Sequence, residues 1–123
     1  MNPIQIEATQ ETPKVILDAD QKIFEITGRS LPEDAGKFYD PIISWLQIYS
    51  HTKEEAIQIE LKLEYLNTSS NKLLLEVLTT VEKISGSKVI WYYEEEDTTM
   101  QDAGEEFSAM VSLPFEFKVY ENS

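Results

Sequence analysis

The chain has no cysteine. That excludes disulfides, thiolate metal sites and cysteine nucleophiles, and leaves the redox compartment open. Histidine occurs once, at His51. No second imidazole can share a metal with it, and no triad can be drawn around it. His51 suits a surface position or the end of a helix, where a cation is mildly favoured. Glycine occurs four times. Gly28 and Gly36 stand alone, and neither belongs to a glycine-rich phosphate loop.

Positive charge is also scarce. Ten basic residues face 23 acidic ones, a formal net charge of −13. Such a surface repels phosphate backbones, so no nucleic acid is expected as a partner. It favours solubility and suits a partner with a basic patch. No apolar run approaches the roughly 20 residues that cross a bilayer. The start, MNPIQIEATQ, lacks the basic region and apolar stretch of a signal peptide. No membrane contact and a cytoplasmic location are the expectation.

What is present is enough for one folded domain over residues 1–123. Apolar residues make up 41% and charged residues 27%, ordinary for a globular chain of this length. Residues 57–75, IQIELKLEYLNTSSNKLLL, organise it. Ile57, Ile59, Leu61, Leu63 and Tyr65 alternate with polar residues, a period of two that predicts a strand with one buried face. From Leu74 the period becomes helical, through Val77, Leu78, Val81 and Ile84. Asn67-Thr68-Ser69-Ser70 lies between. This stretch sets side-chain oxygens beside free backbone N–H groups and the positive end of a helix dipole. Two readings stay open on these residues alone. Asn67 or Thr68 caps the helix, or Thr68 carries a phosphate that the helix start accommodates.

Ile4 and Ile6 predict a short first strand. Val15–Leu17 and Lys22–Thr27 predict a hairpin around Asp18-Ala19-Asp20-Gln21, closed by Gly28-Arg29-Ser30. Leu31-Pro32-Glu33-Asp34 looks like a helix start, but Pro41 lacks an N–H and disfavours helical geometry at Asp40. The main helix is therefore expected from a cap at Asp40 to about Ser50, with Phe38, Ile42, Trp45, Leu46 and Tyr49 on one face. His51–Glu55 reads as a polar connection. Beyond Ser85-Gly86, Lys88–Tyr93 predicts a strand and Glu94–Asp97 an acidic turn. Thr98 and Gln101 have capping-box spacing. Met100, Ala103, Phe107 and Met110 form a helical stripe, and Pro114 opens a last strand, Phe115–Val119.

The order β-β-β-α-β-α-β-α-β predicts a single α/β domain with a mixed sheet. The central strand is polar on its second face, so the helices are expected mainly on one side of the sheet. A second site remains open at Trp91–Asp97. Its aromatics could line a ligand pocket, and Glu94–Asp97 with Glu105 and Glu106 could serve as general acid and base. The acidic turn lacks the alternating spacing and the glycine of a calcium loop, so no metal is expected.

Several stretches in the right order resemble one family over nearly the whole chain. They are Thr12-Pro13 with its hairpin, Gly28-Arg29-Ser30-Leu31-Pro32-Glu33, Phe38-Tyr39-Asp40-Pro41 and Trp45. Tyr65-Leu66-Asn67-Thr68-Ser69-Ser70-Asn71-Lys72 and Trp91-Tyr92-Tyr93 with its acidic turn follow. Gly104-Glu105-Glu106-Phe107 and Leu113-Pro114-Phe115 complete the set. Together they resemble the SiaC family of bacterial regulatory phosphoproteins. The departures are small: Leu31 stands where the family often has an aromatic, and Asp34-Ala35-Gly36 also differs from its usual pattern. The resemblance implies a fold similar to STAS-domain anti-sigma-factor antagonists, no enzymatic activity and no cofactor. It implies a protein kinase that phosphorylates Thr68 and a PP2C-type phosphatase that removes the phosphate. In the best-known system the unphosphorylated form binds and activates a diguanylate cyclase, which controls cyclic-di-GMP and biofilm formation. Asn67, Ser69, Ser70 and Asn71 would then shape the partner-binding loop around Thr68.

Overall fold

The computed structural model describes residues 1–52 and 55–121. Its elements follow the expected order. They are β1 (Ile4–Ile6), β2 (Lys14–Asp18), β3 (Ile23–Ser30), α1 (Ala35–Thr52), β4 (Gln58–Leu66), α2 (Thr68–Glu82), β5 (Lys88–Glu94), α3 (Thr98–Met110) and β6 (Phe115–Tyr120). The six strands form one sheet in sequential order. β1, β2 and β3 pair antiparallel, and β3 to β6 pair parallel. Parallel neighbours need crossovers of one hand. Three such crossovers stepping in one direction put all three helices on the same face.

Alternation in the strands matches that one-sided cover. Ile59, Leu61 and Leu63 of β4 are buried, as are Val15, Leu17, Phe24, Ile26, Val89 and Trp91 in register beside them. The opposite face carries charge. There Tyr92 donates to Glu60 Oε1 at 2.7 Å, and Lys62 Nζ sits 4.2 Å from the centre of the Tyr120 ring. Asp18 Oδ1 accepts from the N–H groups of Asp20 and Gln21, closing the β2–β3 turn.

α1 starts six residues earlier than Pro41 suggests and runs through it. A proline in the second turn removes one helical hydrogen bond. Against that loss stands the burial of Ala35 and Tyr39, which precede it. Asp34 starts the helix, accepting from Lys37 N–H at 3.1 Å, and Asp40 caps nothing. The helix also runs past Ser50, so His51 lies in its last turn. Of the connection expected over His51–Glu55, residues 53–54 lie outside the described residues.

Three side chains depart from their expected faces or roles. Tyr65 is 47% exposed rather than buried. The β3–β4 ladder slips between Gly28, opposite Leu63, and Arg29, opposite Tyr65. Gly28 allows the slip with φ +124°. Asp97, not Thr98, caps α3, accepting from Met100 N–H at 3.0 Å. Met110, the last residue of α3, is 55% exposed while Met100 and Phe107 of the same stripe are buried.

Candidate functional site

The junction between β4 and α2 is built on Asn67. Its N–H donates to Ser30 O at 2.9 Å, which ties the end of β4 to the end of β3. Its side chain then caps α2. Oδ1 accepts from Ser70 N–H at 2.9 Å and from Ser69 Oγ at 3.3 Å. A short polar side chain in extended geometry can reach back to the orphan N–H groups of the first turn, which is why Asn leads at this position. The hydroxyl residues are therefore the first helical turn and not a loop before it.

The three hydroxyls have different fates. Thr68 is the first helical residue and is exposed. Among the described residues no side-chain partner engages its hydroxyl. Ser69 is exposed and leans on the cap. Ser70 does not share that surface; it is 0% exposed. Ser30 donates to Ser70 Oγ at 2.9 Å, and Ser30 Oγ lies 2.6 Å from Tyr39 OH. A hydroxyl has one proton, so Tyr39 donates to Ser30. This buried chain links β3, α1 and α2 under the junction. Burial pushes the Tyr39 phenol above its ordinary value, and the Ser30 and Ser70 hydroxyls offset part of that rise.

Thr68 opens onto a groove of about 360 Å³ between α2 and α3. Thr68, Asn71, Lys72 and Leu75 form one wall, with Ala103 and Phe107 on the other. A second depression of about 350 Å³ continues from it past Asn71 and Ala103 to Tyr65 and Asp97. Leu75, Ala103, Phe107 and Met110 make the first depression largely apolar, with Lys72 and Glu106 both bordering it, and Glu64 and Asp97 border the second. α3 can lie close against the sheet because Gly104 has no side chain. A Cβ there would sit 2.5 Å from Trp91 Nε1, which donates to Met100 O at 3.0 Å. Of the stripe Met100, Ala103, Phe107 and Met110 read from the sequence, the last three line the groove beside Thr68, a neighbour that the spacing did not reveal. Nothing in the spacing marked Lys72 as a groove residue.

The aromatic and acidic stretch does not converge in the same way. Trp91 is fully buried, while Tyr92, its neighbour in the strand, faces the open side of the sheet. Glu94, Glu95 and Glu96 border a wide-open depression of about 330 Å³ with Tyr120 and Glu121. Glu105 and Glu106 do not line it. Among the described residues no group of three or more His, Asp or Glu side chains is placed to hold a metal ion. No helix of the described chain is long and apolar enough to cross a membrane.

The family model described as SiaC family regulatory phosphoprotein matches residues 6–120. The chain belongs to the SiaC family. It is 26% identical over 125 residues to an uncharacterized protein of Pseudomonas aeruginosa strain UCBPP-PA14, covering 98% of this chain and 99% of that one. The fold superposes on the crystal structure of apo-SiaC from P. aeruginosa with a TM-score of 0.89 at 27% identity, over 97% of this chain and all of that one. It also matches SiaC in its complex with the diguanylate cyclase SiaD, whose activator that SiaC is, with a TM-score of 0.88 at 26% identity over 95% of this chain and 99% of that one. A family of regulatory phosphoproteins, one member of which binds an effector enzyme, is a regulatory setting.

Proposed function

We propose that this chain is a non-catalytic switch set by a phosphate on Thr68. The observation that carries the reading is a division of labour. Asn67 does the capping and Ser70 is buried in the Tyr39 chain, so of the three hydroxyls at this junction Thr68 is the one that combines exposure, no side-chain partner among the described residues and a place beside the groove. A protein serine/threonine kinase adds the phosphate and a PP2C-type phosphatase removes it, in the cytoplasm.

Unphosphorylated, the surface around Thr68 docks an effector. Asn67 and Ser69 hold the turn in shape, and Asn71 and Lys72 offer polar contacts beside an apolar floor. Ser70 contributes from beneath, by fixing the turn. The effector class that fits the likeness to SiaC is a diguanylate cyclase, with cyclic-di-GMP and biofilm formation downstream. Phosphorylation adds nearly two negative charges to a chain already at −13. A partner that covers Thr68 must then desolvate that charge, and the complex dissociates.

Titration of the effector separates the states. Thr68→Ala is expected to bind like the unmodified protein and to resist the kinase. Thr68→Asp is expected to bind more weakly. Equal affinity of Thr68→Asp and wild type would remove the charge mechanism.

A further inference from the structure

The sheet ends on a strand whose outer edge has no partner among the described residues. β6 pairs only with β5. Val89 N–H donates to Pro114 O at 2.9 Å. In the alternating pattern of a parallel ladder, Glu116, Lys118 and Tyr120 turn their peptide groups to β5. Phe115, Phe117 and Val119 turn theirs outward. On the helix-bearing face, Phe117 is 38% exposed and Val119 52% exposed, unusual for apolar residues on the covered side of a sheet. Phe115 packs on Phe117 with ring centres 5.9 Å apart. On the open face Glu116 and Lys118 lie side by side, with Nζ 3.9 Å from Oε2.

The order Phe115, Glu116, Phe117, Lys118, Val119 is complementary to itself when reversed. We propose that β6 pairs antiparallel with β6 of a second copy of this chain, about a two-fold axis at Phe117. Phe117 then lies opposite Phe117, and Phe115 opposite Val119, on the apolar face. Glu116 lies opposite Lys118 twice on the open face. The same register brings the three outward residues into hydrogen-bonded positions. Shifting the axis by one residue sets Glu116 opposite Glu116, or Lys118 opposite Lys118, and like charges directly opposite are unfavourable. Hydrogen bonding, apolar pairing and charge thus choose one register. Edges are blunted by lysines, inward-pointing charges, bulges or proline; the single lysine of β6, Lys118, is matched by Glu116 in this register. β6 carries its charges on the other face, and Pro114 precedes the strand.

The test is sedimentation equilibrium over a concentration series with the full chain. Glu116 and Lys118 are half-exposed, so charge reversals leave the fold intact. The wild type is expected to dimerise. Glu116→Lys and Lys118→Glu, each alone, are expected to raise the dimer dissociation constant roughly tenfold or more, because two attractive pairs become two repulsive ones. An equimolar mixture of the two variants recreates both opposite-charge pairs and is expected to dimerise again, as is the double reversal. A wild type that stays monomeric at every concentration overturns the proposal. So does a dimer indifferent to the single reversals, or one that the mixture and the double reversal fail to restore.

Discussion

Ser30 Oγ donates to Ser70 Oγ at 2.9 Å, directly beneath the turn that carries Thr68. Both serines and Tyr39 are fully buried. Ser30→Ala leaves the Ser70 and Tyr39 hydroxyls short of a partner in a site without water access, which costs about 1–3 kcal/mol. Urea unfolding is expected to show that loss. Ser69→Ala, at an exposed position, is expected to stay within about 0.5 kcal/mol of wild type. Equal effects at the two sites would mean that the buried chain does not hold the turn.

Asn67 and Thr68 are neighbours with separable roles. Asn67→Ala removes the cap and is expected to cost about 1 kcal/mol. Thr68→Ala removes no cap and is expected to be close to neutral. Thr68→Asp puts a negative charge at the positive end of α2, which favours folding by about 0.3–1 kcal/mol. Weaker effector binding by Thr68→Asp, alongside undiminished stability, would locate its effect at the docking surface and not in the fold.

Much of this arrangement was legible from periodicity. The element order, the one-sided cover and the strand-to-helix switch at Asn67 follow from patterns of two and 3.6 along the chain. Where the structure departs from those patterns, contacts distant in sequence are the cause. Pro41 argues locally against a helix, but burial of Ala35 and Tyr39 is a tertiary effect that local propensity does not contain. Ser70 and Thr68 look alike in sequence, and only the approach of Ser30 and Tyr39 from distant positions separates them. Tyr65 continues the alternation of β4, and the slip opposite Gly28 that exposes it depends on β3. The groove beside Thr68 needs α3, whose stripe was visible while its partner was not.

Gly104 offers a direct check on how α3 is seated. In Gly104→Ala the new methyl group meets the Trp91 ring, with three ring atoms between 2.5 and 2.8 Å. Neither the buried indole nor the helix backbone can yield freely. The expected cost is about 1–3 kcal/mol, with a shift in tryptophan fluorescence as the Trp91 bond to Met100 O is disturbed. Wild-type stability and spectrum would show that α3 does not pack on Trp91 as described.

Four tyrosines shape the response to alkali. Burial raises the phenols of Tyr39, Tyr49 and Tyr120 above the ordinary 10.0, and the hydrogen bond to Glu60 does so for Tyr92. A raised pKa in the folded state means that the native protein holds its proton where the unfolded chain releases it. The stability from these groups is complete below pH 10.0 and is lost as pH rises from there through the folded values. Unfolding free energy is expected to fall above that pH, and Tyr39→Phe is expected to flatten the fall. A slope unchanged by Tyr39→Phe would remove Tyr39 from this account.

The proposed switch rests on Thr68 as the phosphate acceptor. The most direct measurement is intact mass and peptide mapping of the protein from its native host, before and after phosphatase, with Thr68→Ala beside it. One phosphate on the peptide containing Thr68, removed by the phosphatase and missing in Thr68→Ala, is the expected result. A phosphate on another residue, or none after incubation with the host's kinase and ATP, would contradict the account and leave Thr68 as an ordinary first residue of α2.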